Sequence, residues 1–295
     1  MPIHLALRYA SEELFNTHLY EWLAQTTKNP RMREILLSFA SQERSHYTFW
    51  QQWLSEKATY PKWRFWWYKI LLWLFGISFV LRLLELKEHQ TIEAYRRLLP
   101  TLPPEPQSTL HRLIEDEEKH EAEFINAIRA EEPRLKYAGF IILGLSDAII
   151  EVTGVHAGFL GMSHRPLAAG LAGLIVGFAA SISMASAAYL QAKQNPSISP
   201  LSSALYTGIS YIVAVVILAL PYFSFPSTKA AFWWSVLLAV MMVLAFMYYS
   251  SVIFERSFRQ EAVESLVVLS ATCILSYGFG EGLRYFFADA LQLFF

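Results

Sequence analysis

Charge is scarce in this chain of 295 residues: 17% of its side chains are Asp, Glu, Lys or Arg, against about a quarter in a typical soluble domain. Cysteine is scarcer still. Cys273 stands alone, which excludes an intrachain disulfide and any zinc or iron–sulfur site built from cysteines. There is no excess of one sign either, since 24 basic and 25 acidic residues leave a net charge of −1. That excludes a strongly basic nucleic-acid binder, and no nucleic-acid partner is expected. The opening MPIHLALRYASEE has no basic start, apolar core or cleavage site of the secretory kind, so the front half is expected to stay in the cytoplasm. What the chain does have is apolar surface, 54% hydrophobic and 15% aromatic residues.

The few charges are unevenly placed. Residues 1–136 hold 18 basic and 18 acidic side chains, whereas residues 137–295 hold 6 and 7. The pattern predicts an all-α protein in two parts, a charged unit over 1–133 and a membrane unit over 134–295. A membrane-spanning helix needs ~20 mostly apolar residues. Five segments qualify: 137–162, 166–192, 201–222, 230–254 and 265–283. Basic residues favour one side of the predicted spans: Arg134, Lys136, Lys193, Arg256 and Arg259 against Arg165 and Lys229. That bias also puts the front half inside.

Ionisable groups within a span are costly and mark candidate function. Asp147 and Glu151 lie four apart in the first span and share a helical face, with His156 further along. Two carboxylates at that depth suit a cation that sheds its water, or a proton relay; a place near the interface or a structural pairing is the alternative. The second span is rich in Gly, Ala and Ser, a signal for close helix packing, and contains Met184, either core filler or a soft metal ligand. The GLSD of the first span and the SMASAAYL of the second resemble the vacuolar iron transporter family. That resemblance implies a five-span homodimer exchanging divalent iron against protons, with Asp147 and Met184 lining the ion path. Three departures stand out. Ala148 replaces the family's usual Gly, Glu151 stands where many members are apolar, and only a short link at 191–200 occupies the place of an acidic metal-collecting insert.

In the front half, prolines at 30, 61, 100–106 and 133 separate four helical segments, about 3–28, 31–57, 77–99 and 105–131, enough for a four-helix bundle. The two helix pairs repeat one another. Glu13, Tyr20, Glu43 and His46 recur as Glu88, Tyr95, Glu117 and His120, each 74 or 75 residues later. Glu and His at i and i+3 face the same way and can hold one ion. A Glu from each of two helices with Glu-x-x-His from the other two can surround two metal ions. Carboxylate and imidazole donors without Cys suit Fe or Mn.

Over about residues 1–132 this constellation resembles the ferritin-like superfamily, in particular rubrerythrin-type di-iron domains. The expected ligands are Glu13, Glu43, His46, Glu88, Glu117 and His120. Glu85, one turn before Glu88, is an extra ligand or a surface ion-pair partner. Tyr20 and Tyr95 are expected to hydrogen-bond ligand carboxylates or to pack in the core. Asp116, Glu118, Glu121 and Glu123 read as a solvated face. The aromatic stretch at about 60–76 is too short to span and reads as an interfacial helix docking on the bilayer or on a dimer partner, with burial in the bundle as the alternative.

The two parts together resemble the bacterial membrane-bound ferritins. The resemblance implies a homodimer in the inner membrane, with its N-terminal unit cytoplasmic, that exports Fe²⁺ against protons and protects against iron and peroxide stress. Mn²⁺ fits the same donors. Two rival readings remain: a membrane-anchored di-iron ferroxidase or peroxidase, and a bundle that senses metal and gates transport.

Overall fold

The computed structural model describes residues 3–131, 137–163 and 165–287, without the side chains of 121–131. The expected boundary at 133/134 lies outside the described residues. Every regular element among those described is helical. The chain divides into two units, residues 1–132 and 133–295.

In the first unit α1 (Ile3–Thr26) and α2 (Pro30–Gln51) form one helical hairpin, and α4 (Ile77–Leu98) and α5 (Pro104–Glu131) form a second. Local chemistry sets the breaks. Asn29 caps α2 by accepting from the amides of Arg31 at 2.9 Å and Met32 at 3.4 Å, and Pro30 opens the first turn. The expected helix to residue 57 ends at Gln51 instead. The Gln51 side chain donates to the Glu56 carbonyl at 2.7 Å and accepts from the Ala58 amide at 2.9 Å, folding the chain back on itself. The aromatic stretch becomes α3 (Lys62–Phe75), separated from α4 by Gly76 at φ 84°. Only glycine takes that backbone conformation without strain, and it cuts one long apolar run into two helices. The half after Gly76 is core, with Phe79, Val80, Leu81 and Leu84 buried. The half before it is mostly exposed.

The second unit consists of α6 (Ala138–Met162), α7 (Pro166–Ala192), α8 (Pro200–Ser224), α9 (Thr228–Phe254) and α10 (Phe258–Phe286), all long and apolar enough to cross a membrane. The fifth starts seven residues before the apolar stretch does, because its polar first turns carry Glu261 at the favourable N-terminal end, paired with Arg256 at 3.2 Å. Helix α6 is the hub and touches the other four. Its contact with α10 is made through glycine. A Cβ on Gly280 would lie 2.0 Å from the Gly158 carbonyl oxygen, and one on Gly161 would lie 2.5 Å from that of Tyr277.

Gly280→Ala is therefore expected to pry α10 from α6 and to cost about 1–3 kcal/mol, the range for overpacking. Gly278, two residues earlier, faces open space. Gly278→Ala should be neutral, or stabilising by up to ~1 kcal/mol through helix propensity. Melting curves of the two detergent-solubilised variants beside the parent make the comparison.

Candidate metal centre

Four helices of the first unit each send acidic or imidazole groups into one buried region. Glu13 comes from α1, Glu43 and His46 from α2, Glu88 from α4, Glu117 and His120 from α5, and all six are at most 4% exposed. They form two groups of four, Glu13–Glu43–His46–Glu117 and Glu43–Glu88–Glu117–His120, with the donor atoms of each within 4.8 Å of one another. Glu43 and Glu117 belong to both. The arrangement has the pseudo-twofold symmetry of the sequence repeat.

The donors point at common centres rather than at each other. Both oxygens of Glu43, one each of Glu88 and Glu117, both nitrogens of His46 and Nδ1 of His120 are buried without a hydrogen-bond partner. His46 Nδ1 approaches Glu117 Oε1 to 3.0 Å, and His120 Nδ1 approaches Glu117 Oε2 to 3.4 Å, but neither contact has hydrogen-bond geometry. Leaving buried charge uncompensated costs on the order of several kcal/mol per group. Orphaned carboxylate and imidazole atoms around shared points are what divalent cations compensate, so these residues fit a pair of metal ions.

The surroundings follow the same symmetry. Tyr20 on α1 donates its hydroxyl to Glu88 on α4, and Tyr95 on α4 donates to Glu13 on α1. Trp50 Nε1 donates to Tyr95 at 2.9 Å, directing the Tyr95 proton onto Glu13. Gln42, just before Glu43, contacts Nε2 of His120 on α5, leaving Nδ1 for the centre. At the equivalent position Asp116 lies 3.8 Å from Nε2 of His46. Asp116 was expected on a solvated face and is half-exposed, yet its carboxylate sits behind a ligand. Gln42 escapes a reading by residue type; the signal that exposes it is the 74-residue offset to Asp116. Glu85 is in neither group and pairs with Arg82. Glu118 pairs with Arg96, and the side chains of Glu121 and Glu123 lie outside the described residues.

Burial pushes the Glu43 and Glu88 carboxyls well above the carboxylate range, with neighbouring Glu charges adding to it, and also raises Glu13. Glu117 goes the other way. Burial opposes its charge, but His120 and His46 outweigh that and hold it at about 2.

In the second unit Asp147 and Glu151 are half-buried on α6, and Tyr211 of α8 donates its hydroxyl to Glu151. Glu151 lines a cavity of about 500 Å³ between α6 and α10, whose other walls include Gly154, Gly158, Thr272 and Ser276. Met184, half-buried on α7, packs against the apolar cluster that contains Ala148 and Tyr211. His156 is not brought to the carboxylates. It stands ~180° around α6 from Asp147, fully buried, its ring 4.1 Å from that of Tyr222 and its Nε2 in a notch that a Cβ on Gly173 would fill at 2.3 Å.

Residues 192–281 match the VIT family. That segment runs from the end of α7 through α8 and α9 into α10, under a third of the chain, and leaves Asp147, Glu151 and Met184 outside it. No curated protein and no solved structure matches the chain. With five membrane-capable helices, the VIT match supports a multi-pass membrane protein and suggests a metal-ion transporter.

Two expectations concern the bundle. Carboxyls with raised folded-state pKa values stabilise the metal-free fold fully below the unfolded value near 4.3, and that contribution is lost as pH rises through the folded values. The melting temperature of the metal-free protein should fall as pH rises above the ordinary carboxylate range, with Glu43→Gln flattening the slope and saturating metal abolishing it. Gln42→Ala should weaken one of two metal-binding steps about 10-fold or more, the usual scale for removing a group that orients a ligand. Titration calorimetry of full-length protein separates the two steps.

Proposed function

We propose that the chain is a proton-coupled exporter of Fe²⁺, with Mn²⁺ as a second possible cargo, whose N-terminal bundle captures the metal on the cytoplasmic side of a bacterial inner membrane. The observation that carries this reading is the union, in one chain, of a buried core of four glutamates and two histidines with a membrane unit matching the VIT family. Both donor sets suit the same class of ion.

In this reading Glu13, Glu43, His46 and Glu117 would hold one ion and Glu43, Glu88, Glu117 and His120 a second, with Glu43 and Glu117 common to both sets. Bound iron would supply redox and Lewis-acid chemistry there. Tyr20 and Tyr95 hold Glu88 and Glu13 in place, and the bundle takes over the role of the missing acidic insert. Asp147, Glu151 and Met184 form the passage through the membrane unit, which works as a homodimer. Carboxylates that trade a cation for protons couple outward metal to inward protons.

A second reading, a membrane-anchored ferroxidase or peroxidase, draws support from a ligand set that is complete within the first unit alone. The two readings separate in proteoliposomes loaded with Fe²⁺ under an imposed pH gradient. The exporter predicts proton-dependent flux that Asp147→Asn abolishes while two metal ions still bind the bundle. Equal loss of flux and binding would contradict the division of labour. Iron oxidation or peroxide consumption without flux in correctly folded protein would establish the enzyme instead.

A further inference from the structure

Helix α3 has two apolar faces, and the bundle uses only one. The inner face carries Tyr68 and Leu71, both 2% exposed. Tyr68 packs on Phe15 of α1 with ring centroids 5.4 Å apart and accepts from Lys87 of α4 at 2.8 Å. Arg64 grips Glu12 with two hydrogen bonds of 2.9 and 2.6 Å. The helix is therefore held firmly along the bundle. Its other face is a stripe of Trp63, Trp66, Trp67, Ile70, Trp73 and Leu74, at helical spacing and 45–83% exposed. Four of the nine tryptophans of the chain lie on this one stripe.

Such a face needs a cover, and three observations select it. First, the stripe is dominated by tryptophan, the residue that settles at the boundary between hydrocarbon and headgroups, with its ring in one and its N–H in the other. Second, with Arg64 taken up by Glu12, α3 still carries Lys62 and Lys69 and no acidic residue. A symmetric contact with a second copy would set this basic helix against itself, whereas anionic headgroups complement it. Third, six residues of chain separate the end of α5 at Glu131 from the first membrane-capable helix at Ala138, so the bundle is tethered to that helix. At 14 residues α3 spans only ~21 Å, too short to cross a membrane and suited to lying in its surface.

We infer that α3 is a membrane-interface anchor: its tryptophan stripe beds into an anionic phospholipid surface and fixes the bundle against the bilayer. The anchor is independent of what the protein transports. It requires only that the second unit be in a membrane.

The test uses the full chain in liposomes of mixed zwitterionic and anionic phospholipid, with Cys273→Ser removing the native thiol. Nitroxide labels are placed by Trp66→Cys, Ile70→Cys and Trp73→Cys in turn, and by Glu93→Cys on the exposed side of α4 as a water-facing control. Collision rates with oxygen, which concentrates in lipid, and with a water-soluble nickel chelate are read by electron paramagnetic resonance. Bedding in lipid gives oxygen collisions in excess of nickel collisions at all three stripe positions and the reverse at position 93. Nickel excess along the stripe would show it in water and overturn the anchor. Low collision rates with both reagents would mean that protein covers the stripe, a second copy included, and would overturn it equally. The replaced side chains are exposed, and metal binding equal to the parent's confirms that each labelled bundle is folded.

Discussion

Six ionisable side chains, four carboxylic acids and two imidazoles, are packed into the interior of one small bundle, and the rest of the first unit is arranged around that burden. Without a cation, most of the acids can stay buried only by holding protons, which is why Glu43 and Glu88 are pushed so far up. Glu117 stays charged because two histidines flank it. Trp50, Tyr20, Tyr95 and Phe39 are among the largest fully buried side chains of the molecule, and each touches one of the six or a group bonded to one. That aromatic shell holds the acids side by side, and a divalent ion entering among them would replace their protons.

The second unit meets a different constraint. In a bilayer the association of helices gains little from burying apolar surface, so close packing has to do more of the work. Glycines placed where helices meet provide it: Gly158, Gly161 and Gly280 between α6 and α10, Gly170 and Gly177 between α7 and α8. Gly173 serves a side chain instead, leaving the space that the ring of His156 fills. The buried imidazole is thus part of how α6 and α7 fit together, on the far side of α6 from its carboxylates.

How much of this was legible in the sequence depends on whether a feature is local or symmetric. The five membrane helices were readable because length and apolarity are properties of a single segment, and even there the polar first turns of α10 read as a loop. The clustering of the six bundle residues was readable because the same spacing occurs twice, and a repeat carries information that a lone Glu-x-x-His does not. Gln42 and Asp116 were not, although they obey the same repeat, since an amide and a surface acid say nothing about an imidazole on another helix. Glu85 shows the limit of helical-face reasoning: one turn from Glu88, it still finds Arg82 rather than the centre. Tyr211 reaches Glu151 across sixty residues, and no pattern in either span announces it.

The two acidic sites also differ in a way that bears on the proposed export. The bundle offers six donor residues at most 4% exposed, in two groups of four. Asp147, Glu151 and Met184 are each only half-buried, and Glu151 opens onto a cavity whose walls are mostly apolar. A storage or capture site gains from complete coordination, whereas a passage works only if binding is strong enough for entry and weak enough for release. Of these three residues Glu151 alone lines the cavity, and the hydroxyl of Tyr211 would compete with a cation for it. In the proposed export the membrane unit would have the looser grip, and a metal ion passed on from the bundle would have to be driven by something beyond affinity. Protons returning to the carboxylates it leaves are the driving partner that both sites have the chemistry to accept.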